Sequence, residues 1–357
     1  MIHSMATRVE RAISLLEKLI STPSISGQED GTATIIEEHL RQNGVKEVNR
    51  HINNVWAVNA HYSPSRPSIL LCSHHDTVRA AAGYTLDPHA PIIENGRLYG
   101  LGSNDAGGAL VSLIETFLYF YDKQDLKYNL IIAAVAEEER SGAGGLTAIL
   151  PLLPTYDFAI VGEPTGGKMA VAEKSLLVVD CTSKGVSGHA ARSEGDNAIY
   201  HAIEDIKTLK DYRFERISPS LGEVHMNVTM VNAGTQHNVI PDTCSYVIDI
   251  RPTDVYTNPE IMDIIRSLIK AEASPRNMRR SASSIPLTHP IVVAGTEMGL
   301  ETFGSPTLSD QSLLSCPSLK IGPGESARSH TADEYIEINE LKEGLDTYIS
   351  LLSKILE

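Results

Sequence analysis

Four short stretches, residues 55–60, 68–72, 129–134 and 157–161, are apolar at nearly every position. A strand that is apolar throughout, rather than at alternate positions, has both faces covered, which is the habit of a sheet with helices on either side. The intervening segments have the matching period. Val9, Ala12, Ile13, Leu16, Leu19 and Ile20 lie at helical spacing and stop at Ser21-Thr22-Pro23. A second helix is expected over 32–42, ending near Asn43-Gly44, and a long one over 107–121. The fold class expected is therefore α/β, with a mixed, mostly parallel sheet flanked by helices.

The pattern changes near residue 173. Residues 176–183, 226–232 and 245–251 read as β-branched or alternating strands, and 198–209 and 259–271 as amphipathic helices. This is an α+β pattern of paired strands. Residues 276–284 are basic and Ser-rich, as in a loop or linker, after which a helix, a strand at 318–321 and a final helix at 339–356 restore the earlier style. One domain thus interrupts another: 1–172 with 282–357, and an insert at 173–281.

The balance of 30 Lys plus Arg against 45 Asp plus Glu leaves a net charge of −15 across 357 residues. Nucleic acid and anionic membrane surfaces repel such a chain, so neither is an expected partner. No run approaches the ~18–20 apolar residues of a membrane span, and the first residues lack the apolar core of a signal peptide. Cys72, Cys181, Cys244 and Cys316 are far apart and form no CxxC, which fits reduced thiols and a cytoplasmic location.

Residues of metal-ligand type collect where the apolar runs end. Ser73-His74-His75-Asp76 follows the run 69–72, Glu137-Glu138-Glu139 follows 131–135, and Gly162-Glu163-Pro164 follows 158–161. Asp105 lies in a glycine-rich turn before the long helix, and His330 lies after the strand at 318–321. Alone, Asp105 reads as a helix cap and the others as loop residues. The turn also lacks the third glycine of a dinucleotide fingerprint. Together, however, two His and three acids stand at the carboxyl ends of strands, where open α/β sheets place their sites. Three neighbouring carboxylates at a buried strand end are costly unless cations neutralise them. The set suits two divalent ions sharing one carboxylate, with zinc favoured and cobalt or manganese as substitutes. His75 is an alternative ligand to His74; spacing favours His74, which shares a face with Asp76.

The strings SHHDTV, YGLGSNDAGG, AEEE with GAGG, VGEPT, KGVSGHAA with GDNAI, GTQHNVIPD, IDIRP and GPGESARSHTADEY occur in that order along nearly the whole chain. In this the sequence resembles the acetylornithine deacetylase and succinyl-diaminopimelate desuccinylase family of dizinc amidohydrolases and peptidases. The resemblance implies a zinc-exopeptidase-like catalytic domain and an inserted dimerisation or lid domain. It implies His74, Asp105, Glu139, Glu163 and His330 as ligands of two zinc ions, with Asp105 bridging and a cis peptide at Asp105-Ala106. Glu138 would be the general base, and Asp76 would orient His74. His189 would reach the other subunit's site in a homodimer and steady the oxyanion. Asn238, Arg251 and, by a looser match of its loop, Ser309 would contact substrate.

The activity so implied is hydrolysis of the amide of a small N-acyl amino acid, foremost N2-acetyl-L-ornithine in arginine biosynthesis. N-succinyl-ornithine or -citrulline, N-acetyl-citrulline or -lysine, and dipeptides remain rival substrates. A non-catalytic binding relative would have lost ligands, and all five candidates and the base are present. A nicotinamide oxidoreductase built on the glycine-rich turn would leave His330 unexplained.

Overall fold

The structure is a computed structural model that describes residues 4–192 and 194–357. The chain opens with α1 (Met5–Ile20) and α2 (Asp30–Gln42), followed by β1 (Asn49–His51), β2 (Asn54–Val58) and β3 (Ser68–His74). Then come α3 (Gly108–Phe120), β4 (Asn129–Val135), β5 (Phe158–Val161) and β6 (Met169–Glu173). β7 (Leu177–Lys184), α4 (Ala198–Asp211), β8 (His225–Ala233), β9 (Thr243–Arg251), α5 (Asn258–Leu268) and β10 (Glu272–Pro275) follow. The chain closes with α6 (Pro290–Glu297), β11 (Ser318–Lys320) and α7 (Ile338–Leu356).

It divides into two compact units. The first holds the chain up to Val171, with Ile285–Phe303 and Ser309–Glu357; the second holds Ala172–Ser284 and Gly304–Leu308.

In the first unit the strands run in the order β1-β2-β4-β3-β5-β11-β6. β3 is parallel to β4 and β5, and β11 is parallel to β5. The outer pairings, β1 with β2, β2 with β4, and β11 with β6, are antiparallel. The sheet is thus mixed, with a parallel centre. Every residue of β3 and β4 is buried. Successive side chains enter different cores: Ile69 and Leu71 pack with α1, α2, α3 and α7, while Leu70 and Cys72 pack with Trp56, Leu146, Ile149 and Leu314. That two-sided burial, at about 1.5–3 kcal/mol per large apolar side chain, is why these strands read as continuous apolar runs.

The second unit is half-buried sheet. β8-β9-β7-β10 are antiparallel neighbours. Along β9 the alternate residues Cys244, Tyr246, Ile248 and Ile250 are buried against Ala198, Ala202, Ile261 and Ile265 of α4 and α5. α5 begins with a reciprocal cap in which the Thr257 hydroxyl accepts from the Glu260 amide and the Glu260 carboxylate accepts from the Thr257 amide.

Candidate metal centre

The parallel centre of the sheet fixes where the site is. His74, the last residue of β3, is level with Val135 of β4, and Cys72 is level with Val161 of β5. The residues that follow these strands therefore emerge together at one edge: His74, Glu138, Glu139 and Glu163. Asp105 arrives from the turn before α3, where Gly102 has φ 77° and the Asp105-Ala106 peptide is cis. His330 arrives from the loop after β11, itself with φ 60°, a conformation that His tolerates better than most residues.

Asp105 is central. Its Oδ1 lies 3.3 Å from His74 Nε2, and its Oδ2 lies 3.6 Å from His330 Nε2. Glu163 Oε1 stands 3.9 Å from His74 Nε2, and the Glu139 carboxylate lies 2.9–3.0 Å from His330 Nε2. Two imidazole–carboxylate groups thus share Asp105. One ligand-type atom from each of His74, Asp105 and Glu139 lies within 4.8 Å of the other two.

The imidazoles are not equivalent. His74 is buried, whereas the His330 side chain is 53% exposed. His74 Nδ1 sits 3.0 Å from the Asp76 backbone carbonyl, an acceptor only, so Nδ1 carries the proton and Nε2 turns to the carboxylates. His75 is satisfied on both sides: its Nε2 donates to the Asn53 carbonyl at 2.9 Å, and its Nδ1 meets the Thr32 hydroxyl at 2.9 Å. No ring nitrogen of His75 is left for an ion.

Asp76 stands against His74 and also holds the turn behind it. Its carbonyl is 3.0 Å and its carboxylate 3.5 Å from His74 Nδ1. The carboxylate oxygens also accept from the amides of Glu138 at 3.0 Å and Glu139 at 3.2 Å, and from the Ser26 hydroxyl at 2.6 Å. Asp76 therefore pins the turn that carries these two acids. Glu29, fully buried, accepts from the Glu137 amide at 3.3 Å and supports the same turn. Glu137 itself has φ 58° and pairs with Arg140 and the Gly144 amide, so only two of the three consecutive acids serve the cluster.

The electrostatics are those of an acidic cluster short of positive charge. Burial, with the charges of Asp310, Glu163 and Glu139, pushes the Glu138 carboxyl well above its usual range against the pull of His74. Burial and the charges of Asp105 and Glu139 push Glu163 up to about 8, with His74 and Lys320 opposing. Burial and Asp105 raise Glu139. Burial alone would lower His74, yet its hydrogen bonds to Asp105 and Asp76 and the charge of Glu163 hold it well above the usual imidazole value. A proton on His74 supplies, in part, the cation these carboxylates require. Two imidazoles and three carboxylates, with both Nε2 atoms turned to acids, form a donor set that divalent metals of the zinc type accept.

Of the other expected site residues, Ser309 belongs to the first unit. Ser309 is buried and its hydroxyl accepts from the Gln311 amide, capping a short 3-10 helix; its neighbour Asp310 is the residue of that loop whose charge acts on Glu138. His189, Asn238 and Arg251 belong to the second unit. His189 is exposed beside Val239, with its Nδ1 accepting from the Ala191 amide. Asn238 is exposed, and Arg251 is engaged with Asp249 at 2.8 Å.

Comparison with known proteins gives this arrangement a lineage. The sequence matches the family described as Peptidase family M20/M25/M40 over residues 70–354. It is 29% identical to an acetylornithine deacetylase of Proteus mirabilis, with 94% of each chain covered. It is 28% identical to a succinyl-diaminopimelate desuccinylase of Corynebacterium glutamicum, with 92% of each covered. Among solved structures, an aminopeptidase of Bacillus cereus superposes with a TM-score of 0.74 at 18% identity, covering 97% of this chain and 98% of that one. The Bacillus subtilis YXEP protein, described as a dinuclear metal binding peptidase, superposes with a TM-score of 0.72 at 18% identity, with 98% of each covered. The chain belongs to peptidase family M20/M25/M40: it is an enzyme that acts on amide bonds, and its family implies metal ions at the site.

Proposed function

We propose that this enzyme removes the acyl group from an N-acyl amino acid, and that its substrate is N2-acetyl-L-ornithine, yielding ornithine and acetate for arginine biosynthesis. The observation that carries the reaction class is the sharing of Asp105 between two imidazole–carboxylate groups, with Glu138 electrostatically linked to both acids. The acetyl-ornithine assignment is supported by the deacetylase relative. A succinyl amino acid is the second reading, supported by the desuccinylase relative of nearly equal identity.

His74, Asp105 and Glu163 would hold one zinc ion, and His330, Asp105 and Glu139 the other; cobalt is the expected substitute. Bound there, the metal supplies Lewis acidity, which lowers the pKa of water and polarises a carbonyl. Glu138 takes the proton of the attacking water and returns it to the departing amine. A carboxylate suits this when its affinity for protons lies nearer working pH, the direction in which its burial and acidic neighbours push it. Asp76 keeps Glu138 and Glu139 in place through their amides.

The second unit is proposed as the dimerisation and lid domain. Tyr200 and Ile203 of α4 and Met230 and Val231 of the edge strand β8 are exposed, which suits a second copy better than water. In that dimer His189 would serve the other subunit's oxyanion, and Asn238 and Arg251 would meet the substrate, Arg251 exchanging Asp249 for a substrate carboxylate. Ser309 would act through its loop. No described helix is long and apolar enough to cross a membrane; the four unpaired cysteines fit a cytoplasmic setting.

The test is a panel of N-acetyl and N-succinyl derivatives of ornithine, citrulline, lysine and diaminopimelate on zinc- or cobalt-loaded protein, read as free α-amine. N-acetyl-ornithine should lead and lose all turnover with chelator. A succinyl derivative in front moves the assignment to the second reading. Silence across the panel with two metals bound overturns the deacylase function.

A further inference from the structure

Glu334 is 2% exposed and is not among the acids that face the imidazoles. Its carboxylate is nevertheless occupied by three donors from a single turn. Oε1 accepts from the amides of Asn104 at 2.8 Å and Asp105 at 2.9 Å, and Oε2 accepts from the Gly102 amide at 3.1 Å. That turn presents Asp105, the carboxylate common to both halves of the cluster. Glu334 in turn lies four residues beyond His330, so one side chain joins the segment of one imidazole to the turn of the shared acid.

Three N–H groups converging on a carboxylate form a fixed anion cradle, and a buried charge is tolerated only where such donors surround it. The geometry is directional: the two amides that bind Oε1 lie on either side of Asn104, and the second is the N–H of the Asn104–Asp105 peptide itself, so the orientation of that peptide follows the carboxylate. A second clasp joins the same turn to the loop of His330. Asn104 Oδ1 accepts from the Glu325 amide at 2.9 Å, and Asn104 Nδ2 donates to the Glu325 carbonyl at 3.1 Å. The main chain around Glu334 is held independently. Tyr335–Glu337 pairs with Arg97–Tyr99, and the Gly100 amide donates to the Glu334 carbonyl at 2.9 Å. The side chain is thus not needed to dock its own segment.

We propose that Glu334 is a positioning residue of the metal centre, setting the reach of Asp105 between His74 and His330 through the amides of Gly102, Asn104 and Asp105. This rests on the reading of that cluster as a metal centre. Partners that orient metal ligands typically carry 10–100-fold in metal affinity.

The test compares the full-length wild type with Glu334→Gln and Glu334→Asp. Glutamine keeps the size but turns an NH2 donor toward amide donors; aspartate keeps the acceptor pair one methylene short. Zinc affinity is measured by competition with a chromophoric chelator, and the cobalt(II) form by its visible absorption. Glu334→Gln should bind metal 10–100-fold more weakly, with an altered cobalt spectrum and a far-UV circular dichroism spectrum like wild type, and Glu334→Asp should recover part of the affinity. Wild-type affinity and spectrum in folded Glu334→Gln overturn the proposal, as does failure of both variants to fold, which assigns Glu334 to the fold alone. Wild-type protein that takes up no metal overturns the metal-centre reading, and this proposal with it.

Discussion

Glu115 and Glu163 both belong to the first unit, and their surroundings differ. Glu115, fully buried in α3, meets Arg11 at 2.5 Å, His39 at 3.2 Å and Arg8 at 3.9 Å, all from α1 and α2. Its charge is matched by cations that the chain itself provides. Glu163 stands among Asp105, Glu138 and Glu139 with His74 and Lys320 as the opposing groups, and is pushed up to about 8, first by burial. An acid neutralised from within closes a helix interface. Acids left in excess mark the place where an external cation belongs.

The largest effect that could break this contrast is at Glu138. Glu138→Gln should retain both metals, by elemental analysis, and lose several orders of magnitude in kcat, in line with the role of a general base. Near-normal turnover in a metal-replete mutant would remove Glu138 from the mechanism. Glu115→Ala should leave Arg8 and Arg11 unmatched and cost about 3 kcal/mol in urea unfolding, with unchanged metal content. Metal content falling in step with stability would mean the two clusters are not separate. Removing metal should be of similar size: apoprotein should be less stable than protein with metal at a hundredfold its Kd by roughly 2.7 kcal/mol for each ion bound, and inactive until metal is returned. No difference between the two forms in a denaturant titration would contradict an unneutralised cluster. Thr257→Ala, which strips the cap from α5 in the second unit, should cost about 1 kcal/mol and leave metal affinity alone.

The legibility of the sequence follows from how each feature is made. β3, β4 and β5 declare themselves because both faces are buried. β6 does not: Met169-Ala170-Val171-Ala172-Glu173 is short and built of residues equally at home in a helix. β10 is an edge strand ending in Pro275, with no apolar alternation to reveal it. The ligand-type residues could be found because strand ends gather them. Glu29 and Glu334 could not, since the bonds that tie them to the site run to backbone amides, which every residue type carries; no spacing of side chains records such a bond. Part of the role of Asp76 is hidden in the same way: its motif suggests a carboxylate beside His74, which stands at 3.5 Å, but nothing in the motif records its bonds to the amides of Glu138 and Glu139.

The pairing of Ala172 with Ser284 and of Glu173 with Ser283 has an engineering consequence. Antiparallel partners lie about 4.5–5.5 Å apart at their Cα atoms, so the chain departs and returns through adjacent positions. A two-residue type I′ turn such as Asn-Gly fits between Glu173 and Ser283 and closes that gap as a hairpin. Replacing 174–282 in this way keeps every strand from β1 to β6, together with β11, in one polypeptide, and parts 304–308 from the rest of its unit. The insert is in this sense a cassette whose two ends abut.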